Sequence, residues 1–314
     1  MFNLINLLLN IILKLITIND LIDKRNVIKL LDYSRKVYNY FNSIYIMINS
    51  NNKSMLQILN IIAVIGTLFV NYLSQALPLN GKTAGQLSDD IPNLFVPAGL
   101  TFSIWGVIYI LIIMFAAYQA RDIFKKEKIK MPFLDKASYY FLLAGLANMG
   151  WIFAWHYQQV FLSLIIMLIL LFSLLKLYLN LEIGKELVSR KERLFIQVPI
   201  SVYLGWITVA TIANITALLV TINWDGFGIS DVIWTMFVII ATLAITLLMI
   251  ITRKDIAYSL VIVWALLGIY IKRTDQFYGV QNDIALTALV SIAIIVLAII
   301  VELGMDFFVR KHKS

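Results

Sequence analysis

Eight side chains in this chain stand at intervals that let them act together. Trp105 and Tyr109 lie four apart, Asn148 and Trp151 three apart, and Tyr203, Trp206, Ala210 and Asn214 advance by three and four. On a helix these intervals put residues on one face. Their chemistry is hydrogen bonding through amides and a hydroxyl, and stacking through flat rings. It is not acid–base chemistry: the long apolar stretches carry no ionisable residue at their centres, and Asp225, Asp231 and Glu302 fall near ends. That argues against proton relays, ion-coupled transport and a retinal Schiff base. His156 alone cannot supply paired axial ligation to a haem. No nucleophile–base pair, carboxylate dyad or phosphate-cradling glycine loop is present. Cysteine is absent, which removes disulfides and thiolate metal sites. The expectation is no catalytic residue, no metal and no resident cofactor.

Two readings of these residues stay open at this point. A buried amide in a membrane needs a partner, so Asn148 and Asn214 face the bundle interior and bond each other, a backbone group or a ligand. Interhelical glue without any ligand satisfies the same demand. The tryptophans divide similarly between an interfacial belt and a pocket wall. Trp206 lies well inside its apolar run, whereas Trp224 and Trp234 sit near ends and suit the belt. A sterol-type pattern, Leu267 to Lys272, matches too freely to carry an argument.

The elements that must position these side chains are transmembrane helices. The chain has 314 residues, of which 61% are hydrophobic and 14% charged. Its mean hydropathy is positive. A soluble domain of this length is excluded, and the fold class is all-α, a polytopic transmembrane helix bundle. Eight apolar runs are long enough to span, at 56–77, 99–120, 137–157, 160–181, 195–221, 231–251, 256–271 and 284–303. The net charge of +8 belongs to the loops and does not point to nucleic acid. Arg121 to Lys136, Lys185 to Arg193, and Arg253 with Lys254 fall on alternate connections, against Lys82, Lys272 and Arg273 on the others. By the positive-inside rule the basic loops and both termini are cytoplasmic.

That orientation places residues 79–98 outside. Asn80, Gly81, Gly85, Asp89, Asp90 and Pro92 give this segment turn chemistry, and its length suits a lid or binding loop as well as a solvated connector. Residues 1–54 differ in composition. Asn3, Asn6, Asn10 and Lys14 draw a polar stripe along an apolar run, as in a helix lying in the interface; translation beginning at Met55 is the other reading. The expected organisation is an N-terminal extension (1–54), a five-helix unit (55–222) and additional helices with a basic tail (223–314).

Three motifs, in order, carry a family resemblance. They are Pro97-Ala-Gly99 leading to Trp105-x-x-x-Tyr109; Asn148-Met-Gly-Trp151; and Tyr203-Leu-Gly-Trp206-x-x-x-Ala210-x-x-x-Asn214. Over residues 56–222 the chain resembles the TspO/MBR family, the tryptophan-rich sensory proteins related to the mitochondrial translocator protein. It departs from the family pattern at Ala98, where proline is usual; at Ser103-Ile104, one residue shorter than the family's Gly-Pro-Val; and at Val202, where proline usually precedes the tyrosine. The resemblance implies a five-helix unit with three helices beyond it, and a ligand site formed by Trp105, Tyr109, Asn148, Trp151, Tyr203, Trp206, Ala210 and Asn214. It implies a lid carrying Asp89, Asp90, Pro92 and Pro97. The implied ligand is flat and hydrophobic, a porphyrin such as protoporphyrin IX or a sterol-like molecule. Binding or sensing is the first functional expectation; facilitated transport of tetrapyrroles or lipid-like molecules, and porphyrin degradation, are the alternatives. The expected partners are the bilayer, the ligand and a second copy of the chain, and the expected location is a prokaryotic plasma membrane.

Overall fold

In the computed structural model, residues 53–77 and 79–311 are described, with side chains to Met305. The expectations for residues 1–54 fall almost wholly outside them. Ten α-helices follow in chain order: α1 (Lys53–Ala76), α2 (Ala84–Asp90), α3 (Ile104–Gln119), α4 (Pro132–Ala137), α5 (Tyr140–His156), α6 (Val160–Asn180), α7 (Arg190–Thr221), α8 (Asp231–Arg253), α9 (Ile256–Thr274) and α10 (Asn282–Lys311). The described residues contain no strand. The polytopic all-α bundle expected from composition is therefore the observed one.

Seven of the described helices are long and apolar enough to cross a membrane: α1, α3 with its preceding 3-10 turn (Gly99–Ser103), and α6 to α10. The remaining expected span, 137–157, begins later, at Tyr140. Ser138 adopts φ 48° and separates α4 from α5, leaving α5 with 17 residues. At about 1.5 Å per residue it lies at the short limit for a spanning helix. The short seventh run, expected over 256–271, is α9. It is the most enclosed of the seven, packed against α7, α8 and α10.

Local chemistry explains the departures from regularity. Pro199 sits inside α7, where its ring would clash with a carbonyl one turn back and it offers no N–H. A π turn over Arg193–Gln197 precedes it, and the Val198 N–H reaches back to the Arg193 carbonyl, re-spacing the ladder before the proline. Between α8 and α9, Lys254 takes a left-handed conformation. Asp255 then caps α9 by accepting from the Tyr258 N–H at 3.0 Å and from the Ser201 hydroxyl of α7 at 2.6 Å.

The bundle interior is built by α5 on α6, α6 on α7, and α3 and α9 on α7. Helices α8 to α10 thus do not stand apart from the helices before them: α9 lies directly on α7. Large apolar side chains exposed along α1, α6, α8 and α10 are what a helix face turned to lipid requires.

Candidate functional site

The segment expected as a loop over 79–98 has structure of its own. A 3-10 turn (Leu79–Gly81) and the seven-residue α2 fold over the outer end of the bundle. Helix α2 starts with a capping box, in which the Gln86 N–H donates to the Thr83 hydroxyl and the Thr83 N–H donates to the Gln86 side chain. Thr83-x-x-Gln86 is the sequence signal for that helix start, obscured by the turn residues around it.

This lid is tied down along its length. The Asn80 amide donates to the His156 carbonyl at 3.0 Å, and the Trp155 indole donates to the Ala84 carbonyl at 3.2 Å, both on α5. Asn93 donates to Thr216 and the Ala213 carbonyl of α7 at 2.7 and 3.1 Å. On α9, Lys272 pairs with Asp89 at 2.5 Å, and the Gly268 carbonyl accepts from the Ala98 N–H at 3.0 Å. Of the four expected lid residues, Asp89 and Pro97 face cavities, Asp90 pairs with Lys82 at 2.7 Å, and Pro92 is exposed.

Beneath the lid are two adjoining chambers. The inner one is bounded by Ala84, Ser88 and Pro97 above and by Trp206, Ala210 and Asn214 of α7 below. The outer one lies against Asn71 and Gln75 of α1, Asp89 of the lid, and Tyr109 of α3. Phe102, Trp105 and Trp151 border both. Space open to the centre of a water-sized sphere is about 40 Å³ in the inner chamber and about 440 Å³ in the outer. The inner chamber therefore has room for a few waters; anything as large as a tetrapyrrole has to lie mainly in the outer one.

The aromatic wall is a connected set. Trp105 stacks on Tyr109 with centroids 5.8 Å apart and meets Tyr203 and Trp206 edge-on at 6.1 and 6.3 Å. Phe102 meets Trp206 at 5.8 Å and 81°. Across the space, Trp151 stacks on Trp155 at 5.8 Å. These are the favourable offset and edge arrangements of aromatic pairs.

The amides bond partners that spacing alone does not single out. Asn148 and Asn214 do not bond each other. Asn148 accepts from Asn71 of α1 at 2.7 Å, while its amide nitrogen and the Tyr203 hydroxyl are buried without a hydrogen-bond partner. Asn214 accepts from the Trp151 indole at 3.0 Å and donates to Ser163 of α6 at 3.0 Å. Asn148 and Tyr203 form a polar layer lining neither chamber, while the other six expected residues line one or both. Asn71, Ser163, Asn93 and Trp155 are the residues the motifs miss. Asn71 and Ser163 carry the side chains that an isolated intramembrane amide demands, so only their pairing was hidden. The Trp206 indole N–H is buried without a hydrogen-bond partner.

Trp224 and Trp234 pack together at 5.2 Å beside the α7–α8 turn, where Trp234 donates to the Gly226 carbonyl. They line neither chamber.

No curated protein and no solved structure matches the chain. A family model described as TSPO-like protein matches residues 57–301. That match starts near the beginning of α1 and continues through α8, α9 and most of α10, well past the five helices that the motifs cover. The chain is an integral membrane protein of the TSPO-like family.

Proposed function

We propose that this protein binds a flat, hydrophobic ligand of the porphyrin class in the cleft under the lid, as a binding or sensory membrane protein. The observation that carries this reading is the pair of aromatic stacks, Trp105 with Tyr109 and Trp151 with Trp155: Trp105 and Trp151 border both chambers, Tyr109 the outer and Trp155 the inner. Both chambers are topped by a tethered lid, and Trp206 of α7 lies at the floor of the inner one. Stacking surfaces of this kind favour a broad π system. The size of the outer chamber agrees with such a ligand, and the inner chamber would take its edge.

The test is a titration of purified protein with protoporphyrin IX, read through porphyrin fluorescence. Trp105→Ala should weaken binding by about 0.5–1.5 kcal/mol beyond the lost contact area. Ala210→Phe fills the inner chamber and should weaken binding if the ligand edge enters it, whereas Trp234→Ala should leave affinity unchanged. Equal affinity in all four proteins would remove the cleft as the site. Flux of the same porphyrin across proteoliposomes separates binding from facilitated transport, and its consumption separates both from degradation.

The lid is proposed to face outward, with both termini cytoplasmic, because basic residues gather on the opposite connections. Single cysteines at Lys82 and Lys128, both exposed, should react with an impermeant reagent from opposite sides. Reaction from one side would overturn that orientation.

A further inference from the structure

Three residues of α9 contact the lid and the turn that follows it in ways that no ligand-contact argument requires. Lys272, with only 6% of its side chain exposed, pairs with Asp89 at 2.5 Å. The Gly268 carbonyl accepts from Ala98 at 3.0 Å. The Trp264 indole donates to the Thr101 carbonyl at 2.9 Å. A Cβ on Gly268 would fall 1.9 Å from the Thr101 hydroxyl oxygen and 2.8 Å from the Pro97 Cβ, so this contact requires glycine.

From these contacts we infer that α9 is the latch of the lid: Lys272, Gly268 and Trp264 are positioning residues that hold the lid over the inner chamber, and access to that chamber requires their release. The inference rests on the cleft being the ligand site only for its biological meaning; the closure itself is independent of any ligand. Three features support a latch over ordinary packing. Asp89 is both the partner of Lys272 and part of the outer chamber's wall, so breaking the pair changes the chamber itself. Lys272 and the neighbouring Arg273 are both buried at the α9 C-terminus, where the helix dipole favours cations, and Asp89 acts electrostatically on both. Removing Asp89 while the lid stays in place would leave that buried positive charge without its carboxylate partner. Finally, the contacts bracket the second half of the lid: Asp89 is near the end of α2, while Ala98 and Thr101 lie where the chain enters α3. Holding both ends fixes the intervening segment, Asp90 to Pro97.

The chain's lack of cysteine makes the test direct. A single cysteine replacing Ala210, at the chamber floor, is labelled with a small maleimide in detergent without porphyrin, and the reaction rate reports lid opening. Lys272→Met removes a charge-assisted hydrogen bond and should speed labelling about tenfold or more. Lys272→Arg should restore a slow rate, and Lys254→Met, which breaks the α8–α10 pair with Glu302, should leave it slow. Gly268→Ala, through direct overlap with Thr101, should accelerate labelling at least as much as Lys272→Met. If Gly268→Ala does not insert, the Lys272 series decides alone. Equal rates for wild type and Lys272→Met, or equal acceleration by Lys254→Met, would overturn the latch. Failure of porphyrin to bind would leave these rates untouched, so the two readings fail separately.

Discussion

The helices around the cleft exchange buried amides with one another, whereas the buried hydroxyls of α8 and α10 are satisfied within their own helices. In α1, α5, α6 and α7, polar side chains reach across: Asn71 to Asn148, Trp151 to Asn214, and Asn214 to Ser163. In α8 and α10 the buried hydroxyls of Thr235, Thr242, Thr246 and Ser291 each return to the carbonyl four residues earlier on their own helix. The first arrangement fixes which helix faces which, because an amide removed from its partner is stranded in an apolar medium. The second satisfies each group locally and imposes no register. Recognition chemistry is concentrated where partners are exchanged between helices, and α8 to α10 contribute to it mainly through the α9 contacts with the lid.

That contrast can be broken by mutation. The largest expected effect is steric. At Gly145 of α5 a Cβ would stand 2.9 Å from the Ala63 Cβ of α1, so Gly145→Ala should cost about 1–3 kcal/mol through overpacking. Gly304→Ala in α10, with nothing within 4 Å, should cost nothing. Unfolding in a denaturing detergent series measures both, and equal losses would deny that α1 and α5 are the tighter pair. A smaller effect is expected from polarity. Asn214→Leu strands the Trp151 indole and should cost about 0.6–1.7 kcal/mol, the range of cross-helix hydrogen bonds in membranes. Thr242→Val, which removes only a bond within one helix, should stay within about 0.5 kcal/mol. If Thr242→Val proves the costlier of the two, the distinction between the regions fails.

Much of this protein is legible from the chain. Apolar runs of spanning length determine the helices, because a bilayer leaves the backbone no other way to satisfy itself without strand pairing; seven spans follow, five of them to within three residues at each end, including the short α9. Helical spacing brings Trp105 with Tyr109, and Trp206 with Ala210 and Asn214, onto common faces, and these do converge beneath the lid. A stripe names a face but not the neighbour it meets. Only the tertiary structure decided that Asn148 pairs with Asn71 and that Asn214 holds Trp151. It also placed α9, which carries no motif shared with the cleft, against the lid through Gly268 and Lys272. Periodicity along one helix is a property of local geometry, whereas these contacts join residues up to 183 positions apart, and their distances are set by how whole helices pack.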